Sequence, residues 1–233
     1  MVFNTLSTGF LLLLSTVAYP QNRVSLFSYA GFGYSWFSGK GASSETDYYA
    51  TYLPVKASYA NNPFGSKMLT IGQAGLQVKL DFRNNWIETL NLQYEAAGGK
   101  SEIKNTVSPT GTRSTAGEYK RAYQFISINP AFGPSFKKND FSIVCQAGVD
   151  YAFALTFSEE FRRRDSLTAF GGGIPKSNDV RLMAGITTSL KKWSLDFCYK
   201  HGLRNYSNES NAKVFSNLFQ IRLMYRILQV EIG

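Results

Sequence analysis

The stretch FSIVCQAGVDYAFALTF, residues 141–157, decides the fold. Its odd positions are all apolar: Phe141, Ile143, Cys145, Ala147, Val149, Tyr151, Phe153, Leu155 and Phe157. Its even positions are for the most part small or polar: Ser142, Val144, Gln146, Gly148, Asp150, Ala152, Ala154 and Thr156. Successive side chains of a strand point to opposite faces, so one face here is wholly apolar and the other is not. A water-soluble sandwich alternates in the same way, but its strands usually run about five or six residues. A run spanning 141–157 is far longer than that.

The pattern recurs on both sides of this stretch. Ala74, Leu76, Val78, Leu80 and Phe82 oppose Gln73, Gln77, Lys79 and Asp81, and after Asn84-Asn85, Leu90, Leu92, Tyr94 and Ala96 oppose Thr89, Asn91, Gln93 and Glu95. Further alternating runs occupy Ile126–Gly133, Val180–Thr187, Trp193–Lys200 and Phe219–Arg226, and Val24–Phe37 opens the series. Eight strands result. Long polar connections, roughly 38–67, 100–118 and 158–177, alternate with short turns at Asn84-Asn85, Lys137–Asp140 and Lys191-Lys192, and 205–213 is intermediate. Leu53–Ala57 is strand-like, but a ninth full strand would break the parity, so 51–60 is assigned to the first long loop. Short turns at one end and long loops at the other mark a bacterial outer-membrane barrel. The sequence thus predicts an all-β fold, an eight-stranded antiparallel up-and-down transmembrane β-barrel.

A bilayer explains the closed shape. Backbone N–H and C=O groups find no water in hydrocarbon, so only helices and edgeless barrels span it. Eight strands leave an interior that side chains fill. The face opposite the apolar one carries Lys79, Asp81, Glu95, Asp150, Arg181, Asp196, Lys200, Arg222 and Arg226. Buried charges must be paired or solvated, so these nine are expected to form a charge network plugging the lumen. If the last hairpin closes near Tyr206 and Ala212, Asp196 lies opposite Arg222. Phe82, Trp86, Phe136, Phe141, Trp193 and Tyr225 flank the short turns. Such aromatics favour the lipid headgroup level, and these six are the expected lipid-interface residues.

Composition agrees. The chain of 233 residues carries 14 Tyr, 18 Phe and 3 Trp, a supply suited to strands. It contains no run of about 18 apolar residues that would make a membrane helix. The formal charge of +9 is dispersed over loops and turns, whereas nucleic-acid binders gather theirs on one face. The one dense run, Arg162-Arg163-Arg164, is flanked by Glu159, Glu160 and Asp165. It reads as a solvated loop, or more sharply as a contact for anionic lipid headgroups. At the N-terminus the apolar stretch from Phe10 to Ala18 reads as a secretory signal cleaved after Ala18, although Met1–Asn22 lacks any Lys or Arg. The barrel domain is then 19–233.

The closing segments Tyr199-Lys-His-Gly-Leu-Arg-Asn205, Val214-Phe-Ser216 and Ile221-Arg-Leu-Met-Tyr-Arg-Ile227 resemble the end of PorT-like outer-membrane β-barrel proteins of Bacteroidetes, as does Gly72–Glu95. Ile227 stands where that family commonly ends on an aromatic, and Leu228–Gly233 follow. The resemblance implies an eight-stranded outer-membrane barrel and, for PorT itself, a part in protein secretion. Expected partners are outer-membrane lipid and lipopolysaccharide, together with a secretion-machinery or surface protein.

No chemistry presents itself, so neither enzyme activity nor a catalytic residue, metal or cofactor is expected. His201 is the single histidine, points outward and has no Ser-His-acid set around it. Cys145 and Cys198 point to opposite faces of strands that are not neighbours, which argues against a disulfide. Two alternatives remain. A secreted, lipocalin-like soluble barrel binding an apolar small molecule would turn Leu76, Leu90, Val149 and Phe197 inward. A lipid-A-modifying outer-membrane enzyme would centre on His201.

Overall fold

The computed structural model describes residues 21–49, 59–82, 84–163, 166–173, 178–207 and 211–231. The signal segment Met1–Ala18 and the strand-like Leu53–Ala57 lie outside the described residues. In chain order the strands are β1 (Gln21–Ser38), β2 (Glu45–Tyr49), β3 (Tyr59–Ala60), β4 (Leu69–Phe82), β5 (Trp86–Ser108), β6 (Gly111–Lys138), β7 (Phe141–Arg163), β8 (Ser166–Gly173), β9 (Asp179–Leu190), β10 (Trp193–Gly202) and β11 (Phe215–Glu231).

The fold is all-β and closed. Neighbours run β1-β4-β5-β6-β7-β9-β10-β11, and β11 returns to β1 antiparallel from Arg23↔Glu231 to Ser38↔Phe215. Closure leaves no open edge along the ring, so its backbone hydrogen bonds are satisfied internally. At one end the turns are tight. Asn85, Asn139 and Lys191 take φ of 61°, 54° and 56°, the left-handed region, which Asn enters more easily than most residues that carry a Cβ. Gly31 and Gly33 face inward on β1 beside Arg222 and Gln220. A Cβ at either would collide with the carbonyl oxygens of Ile221 or Phe219, so glycine here lets the two strands approach while large lumen side chains pass.

The described strands number eleven, not the eight expected. Eight close the ring, and β2, β3 and β8 come from stretches read as loop. The connection expected over 100–118 is not a loop either: β5 and β6 stay paired to Ser108↔Gly111, leaving Pro109 and Thr110 between them. Likewise β7 continues to Arg163 and folds back as β8. The physical reason is that a polar outer face signals water, not the loss of strand. Beyond the apolar band the backbone still needs partners, and adjacent chains supply them.

These extensions build a crest. At the long-connection end β3, β2, β5, β6, β7 and β8 lie side by side, with β2 parallel to β5. Tyr48, Ala60, Ile103, Tyr119 and Phe161 form its buried cluster, in which the Tyr48 and Phe161 rings stack at 4.3 Å. Truncating a buried aromatic costs about 3–5 kcal/mol. Phe161→Ala is therefore expected to loosen the crest while the ring stays closed. Limited proteolysis should cut the variant within 100–120 or 158–170 and leave a heat-modifiable core; resistance equal to the parent would refute the account.

Candidate functional site: a charged lumen and a basic rim

The ring is arranged inside out relative to a water-soluble barrel. Leu76, Leu92, Ile128, Leu182 and Leu223 point outward at 40–55% exposure, whereas Glu95, Asp150, Arg181, Asp196, Lys200 and Arg222 are all at 0%. Charged side chains are almost never fully buried unless paired. Here they are paired across the lumen, because alternation sends them inward from five strands.

Two clusters result. In the first, Arg181 on β9 lies among three carboxylates. Its Nη1 donates to Glu95 Oε1 (2.5 Å) and Asp150 Oδ2 (3.0 Å), and its Nε to Asp179 Oδ2 (2.9 Å). Lys200 Nζ donates to Glu95 Oε2 (3.0 Å) and lies 3.3 Å from Asp150 Oδ2. Glu95 also accepts from Gln220 Nε2 (2.6 Å) and Ser127 Oγ (3.3 Å), and Asp150 accepts from Asn129 Nδ2 (2.6 Å). The Arg181 guanidinium lies 4.7 Å from the centre of the Phe125 ring. In the second cluster Asp196 and Arg222 are direct cross-strand partners on β10 and β11. Arg222 Nε donates to Asp196 Oδ2 (2.8 Å), Nη2 lies 2.7 Å away, and Thr187 Oγ1 donates to Oδ1 (2.5 Å).

The remaining three positions sit apart from this centre, towards the short turns. Lys137 Nζ donates to Asp81 Oδ1 (3.0 Å), and Lys79 Nζ is 3.6 Å from the same oxygen. Arg226 is half-buried at that end, its backbone N–H bonded to the Lys192 carbonyl (2.8 Å). Two participants escaped the sequence reading. Asp179 is fully enclosed by Arg181, Tyr206 and Ser216, and Lys137, at the edge of a short turn, reaches Asp81. Asp179 stands two residues before Arg181 and so shares its face, a signal that placing the strand start at Val180 hid.

The lumen is filled along its length. Near the long-connection end Phe37 packs edge-on against Phe64, Tyr123 and Tyr206, with ring centres 5.4–6.2 Å apart. Arg121 covers the rings of Phe64 and Phe157 at 5.1 Å. Towards the other end, a cavity among Phe27, Gln77, Thr89 and Gln146 measures about 10 Å³, about the size needed for a single water.

Of the six aromatics at the short-turn end, Trp86, Phe136, Phe141, Trp193 and Tyr225 are exposed and Phe82 is half-buried. Trp193 packs on Tyr225 with centres 4.9 Å apart, and Trp86 on Phe132 at 6.3 Å. At the opposite rim the outward face turns charged. Lys67 pairs with Glu102 (2.9 Å), Lys100 with Glu118 (3.2 Å), Lys120 with Glu160 (3.2 Å) and Lys104 with Glu45 (3.2 Å). The hydrogen bond from Lys67 and the charge of Lys104 hold the Glu102 carboxyl below its ordinary range. On the inner face of the crest, burial and then the Glu159 carboxylate push the Tyr119 hydroxyl well above its own.

Chemistry-bearing residues stay apart. His201 Nδ1 lies 2.8 Å from Asn217 Oδ1, and its ring tilts on Phe215. Cys145 is exposed and Cys198 buried, both as free thiols. Among the described residues no group of three or more His, Cys, Asp and Glu is placed to hold a metal ion.

No family model and no curated protein matches the chain. Solved structures do. Neisserial surface protein A aligns at 9% identity over 88% of this chain and 99% of its own, with a TM-score of 0.40. Ail, the attachment invasion locus protein of Yersinia pestis, solved in complex with the heparin analogue sucrose octasulfate, aligns at 11% over 88% and 99%, with a TM-score of 0.32. The same protein in a phospholipid bilayer nanodisc gives 14%, 87% and 99%, with a TM-score of 0.31. These figures carry no ligand or partner across to this chain. They do correct the sequence reading: the similar structures are Neisserial and Yersinia proteins, and no PorT-like family model matches. The PorT-like assignment and its Bacteroidetes origin do not stand, and the secretion role implied by them loses its support. The physical reason is that short Tyr-, Gly- and Arg-containing motifs recur wherever barrel strands alternate and turn.

Proposed function

We propose that the protein is a small outer-membrane β-barrel with a side-chain-filled lumen, acting as a non-enzymatic structural or surface-interaction component. The observation that carries this reading is the inversion of faces: outward leucines and isoleucines around charges that are wholly enclosed. In water, that exposed apolar band would be a severe liability; in a bilayer it is the required surface. The soluble lipocalin-like alternative needs the opposite arrangement, and Leu76 and Phe197, which it would bury, are 47% and 37% exposed. The short turns lie on the periplasmic side and the crest outside the cell, with export through a signal segment cleaved after Ala18. The packed lumen makes an open solute channel unnecessary to the account, and lipid is the partner of the barrel wall.

Heat-modifiability tests this. In a membrane fraction run unboiled on a denaturing gel, the chain should migrate faster than its boiled form, because a closed barrel resists the detergent. A single unshifted band in the soluble periplasmic fraction would overturn the proposal.

A further inference from the structure

Where the crest leaves the barrel wall, the outward face holds a row of like charges. Lys67 and Lys100 face each other across an isolated antiparallel bridge with both backbone hydrogen bonds at 3.0 Å. Lys100 is in turn the direct cross-strand partner of Lys120, and Lys120 of Glu160. Like charges placed directly opposite on neighbouring strands are destabilising, so three lysines abreast run against the chain's own stability. The glutamate partners of Lys67 and Lys100 lie in the next row, where Glu102 and Glu118 also oppose each other and Glu118 opposes Arg162. Lys67 and Lys100 are thus held only diagonally and Lys120 only by the Glu160 directly across from it, all on the surface, where such pairs contribute little.

The location is specific. Outward positions along β5 run Leu92, Tyr94, Ala96, Gly98, Lys100, and along β6 Ile128, Ile126, Gln124, Ala122, Lys120. The lysines therefore stand on the wall that faces lipid, directly above its apolar band and not on the crest's inner side. A groove of about 350 Å³ opens there, lined by Thr70, Lys100, Glu118, Lys120, Glu160 and Arg162. Ammonium and guanidinium groups match phosphate oxygens, and the two carboxylates and the Thr70 hydroxyl match sugar hydroxyls.

We infer that Lys67, Lys100, Lys120 and Arg162 form a headgroup site for a phosphorylated saccharide lipid of the outer leaflet, seated in this groove with its acyl chains against the wall below. The inference rests on the outer-membrane reading above and adds to it the chemistry of one lipid and its address on the barrel. The ligand is the lipid, not free phosphate, because the groove opens onto the face that continues the apolar band.

The test uses the full chain in detergent micelles, titrated with bisphosphorylated lipid A and with the same lipid dephosphorylated. The expected result is at least tenfold tighter binding of the phosphorylated form, reduced to no preference in the triple variant Lys67→Gln, Lys100→Gln, Lys120→Gln. A charge-matched variant at the opposite end, Lys137→Gln, Lys191→Gln, Lys192→Gln, should keep the preference. Equal binding of the two lipids overturns the inference, as does equal loss in both triple variants, or displacement by millimolar inorganic phosphate as complete as by lipid A. Unboiled gel mobility is read on every variant. If the rim triple variant loses its fast band, the single variants Lys100→Gln and Lys120→Gln carry the comparison. Absence of the fast band in the parent would instead sink the outer-membrane reading itself.

Discussion

Replacing Arg181 with methionine is expected to destabilise the barrel by about 3–5 kcal/mol, the usual result of removing one member of a buried ionic cluster. Methionine has similar length and no charge, so the loss is electrostatic rather than a packing defect. Glu95 and Asp150 would then share Lys200 alone and Asp179 would keep only the Tyr206 and Ser216 hydroxyls, all enclosed from water. The measurement is urea unfolding in micelles, read alongside the temperature at which the fast gel band disappears. Asp196 and Arg222 give the contrast. Asp196→Leu alone should cost a comparable amount, because it strands a buried guanidinium. The double variant Asp196→Leu, Arg222→Met should recover most of that loss, since removing both partners leaves no orphan charge. If Arg181→Met stays within about 1 kcal/mol of the parent, the network does not hold the lumen together.

The second large effect lies on the other face. Leu92 is 52% exposed and sits midway along the outward positions of β5 between Trp86 and the rim. Arginine on the lipid face of a barrel near the bilayer midplane costs about 2–4 kcal/mol. Leu92→Arg should therefore destabilise the protein by that amount in phospholipid bilayers. The same substitution at Trp86, at the aromatic end, should cost about 0–1 kcal/mol. A soluble barrel would show the reverse of alarm: an exposed leucine exchanged for arginine would change stability by roughly half a kcal/mol or less. Equal and small effects at both positions would remove the bilayer from the account.

How much of this was legible beforehand follows from the range over which each force acts. Alternation is a property of a single chain segment, so FSIVCQAGVDYAFALTF by itself determined that the odd positions from Phe141 to Leu155 share an apolar face and that Asp150 shares the other with Gln146, whereas a bulge opposite Gln124 and Phe125 turns Phe157 into the lumen. The short turns were equally local, since Asn85 and Asn139 need only their own backbone to enter the left-handed region. What the neighbours contribute is invisible from within one segment. Residues 100–118 are polar on one face and sparse in large apolar residues, and only the pairing of β5 with β6, and of β2 alongside, makes them strand. Partner choice is likewise non-local. Asp179 meets Arg181, Tyr206 and Ser216, and Lys137 reaches back to Asp81, because ring closure brings separate strands around one axis. The sequence by itself determined which residues share a face within each regular run, though not the bulge that turns Phe157 inward, and where the tight turns fall. The tertiary structure decided the crest, the two ionic clusters and the lysine row, because each depends on backbone hydrogen bonds and charges supplied by other strands.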